Sequence, residues 1–247
     1  MKTALLLILT YNLSAQNIIV NGSFEQGQTP ITSGEYYKAD HWQSTQGSPD
    51  YFSTTSIITV NIPNTFVGGT IKPKEGQRFM GLCTFMKGVP NYREYLTQKF
   101  DTALIAGTAY HLSLWVLTNT NPCYYGGLTS DNFGVLLSMK KPHSNSDGVI
   151  VWPPTLIYPY QVYATHWQEL VFDFIADSNY KFISLGCYIY DSLQVRITTG
   201  TAITFECVYI FIDNIKLEKQ VNTSVQNTEP LKAVKLRNYN LLGQRVK

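Results

Sequence analysis

Five aromatic residues in turn-rich stretches, Trp42, Tyr51, Tyr124, Tyr125 and Trp152, could stack on a sugar ring, with Asp50 and Arg93 to take its hydroxyls. Each has a second reading as a core or rim filler, because an aromatic-rich sheet protein needs such side chains for packing. Trp115 and Trp167 stand in strand-like runs and are expected in the core. Motifs for catalysis are missing from the sequence. It has no Gly-x-Ser-x-Gly elbow, no His-Glu-x-x-His and no Gly-rich phosphate loop, and the four histidines (His41, His111, His143, His166) lack metal spacing. Glu94, Glu169 and Glu206 fall in strand-like runs, where two carboxylates could serve glycoside hydrolysis. A strand Glu beside Arg93, however, reads as half of an ion pair. The expectation is a protein that binds without catalysing.

The elements that must position these side chains are strands. Candidates are Ile18–Val20, Ser56–Val60, Arg78–Phe85, Tyr92–Phe100, Tyr110–Leu117, Phe133–Met139, Trp167–Phe174, Lys181–Tyr190 and Ile203–Leu217, with Gly, Pro, Asn and Ser clusters between them. No stretch sustains helical periodicity with caps. The expected fold is all-β, two packed antiparallel sheets in a sandwich or jelly roll. Asp40–Phe66 and Asn119–Asp131 are expected as long loops on one rim, where binding residues collect.

Composition supports an exported protein. Charged residues are 15% of the chain, and Tyr (17) and Phe (12) are plentiful. Met1-Lys2-Thr3 followed by Ala4-Leu-Leu-Leu-Ile-Leu9 and Leu13-Ser14-Ala15 reads as a signal peptide cut after Ala15. That apolar run is too short to span a bilayer, and no later segment is long enough. Lys216–Lys247 holds seven Lys/Arg and two Glu. The body then keeps eleven basic residues (nineteen less these seven and Lys2) against fifteen acidic ones (seventeen less two), which argues against nucleic-acid binding. Four cysteines, Cys83, Cys123, Cys187 and Cys207, allow three pairings. Three of them lie in apolar runs and read equally well as buried thiols.

The mature chain opens with Asn17-Ile-Ile-Val-Asn-Gly-Ser-Phe-Glu25, and Tyr209-Ile-Phe-Ile-Asp-Asn-Ile-Lys-Leu217 stands near its end. These bookends, with Leu104-Ile-Ala-Gly-Thr-Ala-Tyr110-His-Leu-Ser-Leu-Trp-Val116 and Trp167-Gln-Glu-Leu-Val-Phe-Asp-Phe174, resemble the galactose-binding-like β-sandwiches, of which xylan- and cellulose-type carbohydrate-binding modules are members. Pro49-Asp-Tyr-Phe52 and Tyr92-Arg-Glu-Tyr95 resemble a Bacteroidetes version of that sandwich. The resemblance implies a structural Ca²⁺ between the strand ends, with Glu25 and Asp213 at the positions that supply its carboxylates. It also implies a glycan or another cell-surface ligand as partner.

Tyr239-Asn-Leu-Leu-Gly-Gln-Arg-Val246 resembles the start of a type IX secretion C-terminal sorting domain, which implies that secretion machinery as a second partner. The expected organisation is therefore a signal peptide over 1–15, the sandwich over 16–218, a polar linker over 219–231, and a short or partial sorting segment over 232–247. The expected place is outside the cell or on its surface. Three functions follow in order: a non-catalytic glycan-binding protein, a structural or adhesive protein with the same fold, and an uncharacterised hydrolase.

Overall fold

The computed structural model describes residues 16–118, 123–146, 148–162, 166–200 and 202–220. The expected signal peptide, most of the expected linker and the expected sorting segment lie outside the described residues. Within them the chain forms two sheets. The smaller sheet runs, edge to edge, β1 (Trp42–Ser44), β4 (Leu96–Lys99), β10 (Phe182–Cys187), β7 (Phe133–Ser138) and β8 (Leu156–Ile157). The larger holds β2 (Asp50–Ser53), β3 (Arg78–Met86), β5 (Ala109–Thr118), β6 (Cys123–Ser130), β9 (Gln168–Ile175), β11 (Arg196–Thr198) and β12 (Ala202–Lys219).

β12 organises the large sheet because, at 18 residues, it is long enough to serve two neighbourhoods. Cys207–Ile212 pairs with β3 on one side. On the other side its first half runs parallel to β6, and its second half runs antiparallel to β5, which carries β9 as an edge. Alternation along a strand sends successive side chains to opposite faces. Val208, Ile210 and Ile212 enter the core between the sheets, while Cys207, Tyr209 and Phe211 enter a second cluster on the outer face. A bulge over Asp213–Lys216, with Asn214 at φ +47°, switches the parity, so that Ile215 and Leu217 return to the core. Bulges of this kind re-aim side chains, and this one points Asp213 away from the core toward the 72–78 loop.

The main core joins Leu96, Phe133, Val135, Ile183 and Leu185 of the small sheet to Met80, Leu82, Leu112, Leu114, Val116 and Leu170 of the large one. At about 1.5–3 kcal/mol for each fully buried side chain of this size, this layer dominates the stability. The outer face of the β2–β3–β12 region is also covered. The 54–77 segment lays Val60, Ile62, Val67 and Ile71 over Phe52, Phe79 and Phe211. A third, smaller cluster of Tyr95, Leu136, Ile150 and Tyr188 covers the outside of the small sheet.

The expected all-β, two-sheet sandwich is what the structure holds, and several element expectations change. Ile18–Val20 forms turns rather than a strand, yet it meets the last strand as the bookends suggested. Ile18 N donates to Leu217 O at 2.7 Å, and Asn17 Oδ1 accepts from Leu217 N at 2.9 Å. Gly22 sits where a Cβ would stand 2.0 Å from Ile215 O, so the Asn-Gly turn is required by that close approach. Ser56–Val60 is irregular, with Ile57 and Ile58 exposed. Tyr92–Phe100 is a strand only over β4. The two expected rim loops instead contain β1, β2 and β6. Cys83, Cys187 and Cys207 are buried free thiols, and the side chain of Cys123 lies outside the described residues. Among the described residues no helix is long and apolar enough to cross a membrane.

Candidate functional site

A pocket of about 160 Å³ opens on the outer face of the large sheet, beside the 54–77 cover. Asp50 reaches it from β2, Glu94 from the segment before β4, Tyr209 from β12 and Tyr125 from β6, while Phe66 and Tyr92 close its sides. The two carboxyls are 6% and 4% exposed. Asp50 Oδ1 accepts from Gly34 N at 2.6 Å, and Oδ2 accepts from the Tyr209 hydroxyl. Glu94 Oε1 accepts from the Tyr92 hydroxyl at 2.9 Å and from Ser48 N at 3.2 Å, and Oε2 accepts from Cys83 N at 2.8 Å. Among the described residues neither carboxylate has a Lys or Arg partner.

Burial without a countercharge sets the electrostatics. Desolvation pushes Asp50 up to about 6, partly offset by the Tyr209 hydroxyl and the Gly34 amide. Desolvation first, and then the Asp50 charge, push Glu94 up to about 7. Burial first, and then the neighbouring carboxylates, hold the Tyr92 and Tyr209 phenols firmly protonated, as donors. Near neutral pH the pair therefore exchanges protons readily, which is how functional carboxyls are commonly poised.

An aromatic surface continues out of the pocket. Tyr125 stacks on Phe205 with centroids 4.7 Å apart and planes at 16°. Tyr124 packs on both rings at 5.3 and 5.7 Å, and Phe66 meets Tyr125 edge-on at 5.9 Å. Tyr124 is 46% exposed and Phe205 37%. Carboxyls at the bottom and open rings at the mouth suit a ligand with an apolar face and polar edges.

The sequence candidates divide between this site and the interior. Asp50, Tyr124 and Tyr125 are at the site. Trp42 and Tyr51 are buried: Trp42 Nε1 donates to Asn21 O at 2.9 Å, and the Tyr51 hydroxyl donates to Phe24 O at 2.6 Å. Arg93 is 1% exposed, donates to Tyr92 O and Ile189 O, and pairs with Asp191 Oδ1 at 2.8 Å. The expected ion pair with Glu94 is thereby corrected, since Asp191 holds the guanidinium and Glu94 keeps only amide and phenol donors. Trp152 packs on the third core cluster, with His143 edge-on at 5.4 Å. Trp115, expected in the core, lies on the outer face under Lys74, whose ammonium is 3.6 Å from the ring centroid. Sequence reasoning missed Glu94 as a pocket residue and missed Phe205 entirely. Phe205 shares the parity of Cys207 and Tyr209 in β12, and that parity is the signal that places it on the outer face.

Glu25 and Asp213 do come together, around one loop. Glu25 Oε1 accepts from Gln77 N and Arg78 N, each at 2.9 Å. Asp213 Oδ2 accepts from Lys74 N at 2.8 Å and Glu75 N at 3.0 Å, and Oδ1 accepts from Asn214 N at 2.7 Å. Burial, opposed by these amides and aided by the Glu25 charge, raises Asp213 to about 7. Glu25 Oε2 takes no hydrogen bond among the described residues, which leaves one carboxylate oxygen with capacity to spare. Among the described residues no group of three or more His, Cys, Asp or Glu is placed to hold a metal ion.

No family model matches the chain, and no curated protein matches it. Several solved structures are similar. One is the CBM22-1 xylan-binding domain from Paenibacillus barcinonensis, 10% identical with TM-score 0.43 over 83% of this chain and 96% of that one. A second is a cleaved adhesin domain of Lys-gingipain from Porphyromonas gingivalis, 13% identical with TM-score 0.38 over 81% and 96%. A third holds the CBM22-1 and GH10 modules of an endo-1,4-beta-D-xylanase from Clostridium thermocellum with xylohexaose, 13% identical with TM-score 0.41 over 76% of this chain and 28% of that one. The chain thus spans about a quarter of the length of that xylanase structure.

Proposed function

We propose that the protein is an exported, non-catalytic glycan-binding sandwich. A sugar ring would lie on Tyr124, Tyr125 and Phe205 and direct its polar edge at Asp50 and Glu94. The observation that carries this reading is the continuity of the exposed ring cluster with the carboxyl-bearing pocket through Tyr125. The test is a glycan array probed with the full chain and with Tyr125→Ala. The expected result is saturable binding to one glycan class that weakens about tenfold in the variant, an effect of the size of one lost base- or sugar-ring stack. Silence across the array from a folded protein would instead favour the structural or adhesive reading.

A second reading rests on the carboxyl pair itself. Two carboxyls in one pocket, both raised toward neutrality, are the equipment of a glycoside hydrolase. Release of reducing ends from a bound glycan, abolished by Glu94→Gln, would move the assignment to that class.

Calcium at Glu25 and Asp213 is part of the same proposal. It is supported by the burial of Asp213, which with the Glu25 charge raises it, and by the spare oxygen of Glu25. The two carboxylates would supply part of the oxygen shell, and the ion would neutralise charge where the chain ends meet. A melting temperature that rises with Ca²⁺ and falls with chelator is the expected result. We also assign signal-peptide cleavage near residue 15 and type IX sorting through 232–247 to this reading. Both are tested by N-terminal sequencing and by comparing surface display of the full chain with that of a 1–231 truncation.

A further inference from the structure

The pocket combines features that specify the charge of its occupant. Its walls are aromatic, with Phe66, Tyr92, Tyr125 and Tyr209. Its floor is two carboxyls that are almost fully buried and have no basic partner among the described residues. Buried carboxylates elsewhere in proteins are paired with cations, because an uncompensated buried charge is costly. The one guanidinium adjacent in sequence, Arg93, is turned away into a separate pair with Asp191. The fold thus assembles two acids and withholds the countercharge.

An inorganic cation fits this pocket poorly. Calcium wants six to eight oxygen ligands and magnesium a near-ideal octahedron. Here the carboxylate oxygens already accept hydrogens from Gly34 N, Ser48 N, Cys83 N and two phenols, which leaves too few free lone pairs for a six-ligand shell, and much of the remaining lining is aromatic. An organic ammonium fits on both counts. It donates to carboxylate lone pairs in three directions, and it gains from ring faces within about 6 Å of their centroids. The size agrees, since about 160 Å³ admits a small head group with the rest of the ligand left outside on the rings.

We propose that this pocket takes a primary ammonium group, and that the ligand is a glycan bearing free amino sugars. The inference rests on the glycan-binding reading above. The open surface of Tyr124 and Phe205 at the mouth favours a ring-bearing ligand over the flexible stem of a lysine. Binding then completes the charge balance that the folded chain lacks, and acetylation of the amine removes the interaction.

The experiment is calorimetric titration of the full chain, at fixed ionic strength, with four probes: a β-1,4-glucosamine hexamer, its fully N-acetylated counterpart, xylohexaose and trilysine. The glucosamine hexamer is expected to bind at least about tenfold more tightly than either acetylated or neutral hexamer. Glu94→Gln and Asp50→Asn are expected to erase that preference. Melting curves establish that the variants fold, and Tyr125→Ala serves as a second site variant that leaves both acids in place. Equal affinity for all three hexamers would leave the glycan reading standing and overturn the ammonium assignment. Tighter binding of trilysine than of any glycan would keep the ammonium and overturn the glycan. A preference that survives both acid substitutions would overturn the pocket as its source. No binding by any probe would overturn this inference, whereas array binding to an acidic or neutral glycan would still leave the function intact.

Discussion

Two pairs of carboxyls meet at the large sheet, and their surroundings differ in a way that separates holding a fold from meeting a ligand. Glu25 and Asp213 spend their lone pairs on five backbone amides, four of them from Lys74, Glu75, Gln77 and Arg78. Those hydrogen bonds tie the end of the 54–77 cover to the last strand, so the pair belongs to the architecture. Asp50 and Glu94 instead face a pocket, take two of their donors from tyrosine hydroxyls, and sit next to exposed rings. Burial raises Asp213 in the first pair and both carboxyls of the second. Only the second adjoins exposed rings on which an organic ligand could rest.

That contrast breaks most sharply at Asp213. Asp213→Ala removes the acceptor of three amides in a buried setting and should cost about 3 kcal/mol or more in denaturant unfolding, whereas Asp50→Asn and Glu94→Gln, which each keep a side-chain oxygen acceptor, should cost less. Gly76→Ala attacks the same loop through the backbone. At φ +65° its Cβ would meet the Glu25 carboxyl at 2.4 Å, and a loss of about 2 kcal/mol is expected. Phe205→Ala works on the other pair. Stability should stay within about 1 kcal/mol because the ring is part-exposed, while glycan affinity falls about tenfold.

The pH dependence sharpens the comparison further. In the folded chain Asp50 and Glu94 hold protons up to about 6 and 7, against ordinary values of 3.8 and 4.5. The folded state therefore binds more protons than the unfolded one between about pH 4 and pH 7. Stability from this source is full at the acid end of that window and declines as the pH rises through it. Thermal melts of the Asp50→Asn, Glu94→Gln double variant should show a flatter decline from pH 4.5 to 7.5. At pH 7.5 the variant should be equal to or about 1 kcal/mol more stable than wild type. Asp213, raised to about 7, keeps the residual slope in the same direction. The smallest effect is Lys74→Ala, which removes the ammonium above Trp115 at a cost of about 0.5 kcal/mol in the same unfolding assay.

Legibility in the sequence follows the same division. Glu25 and Asp213 were readable as neighbours because each sits in one of the two bookend motifs, and the fold brings those motifs together around the 72–78 loop. Asp50 was readable as a polar neighbour of aromatics. Its relation to Glu94 was not, because Glu94 stands 44 positions further on, beyond strand β3, and the adjacent Arg93 offered a nearer partner. The strand β6 was hidden by Gly126-Gly127, a dipeptide that reads as a turn. The structure places the pair in the ladder at φ +145° and +82°, opposite Glu206 and Cys207. Trp42 and Tyr51 misled for the opposite reason. Their flanking turn residues suggested an open loop, yet β1 and β2 carry both rings into the core.

On the proposed function, ligand meets the protein at the Asp50–Glu94 pocket and its aromatic mouth, not on the open outer face of β5 and β9 where Trp115, His111 and Asp173 lie. An NMR titration of the full chain with the glucosamine hexamer tests it most directly. The account predicts saturable shifts in the ring signals of Tyr124, Tyr125 and Phe205 and in the Gly34 and Cys83 amides, with Trp115 unmoved. Shifts centred on Trp115 and β9, or none that saturate, would contradict it.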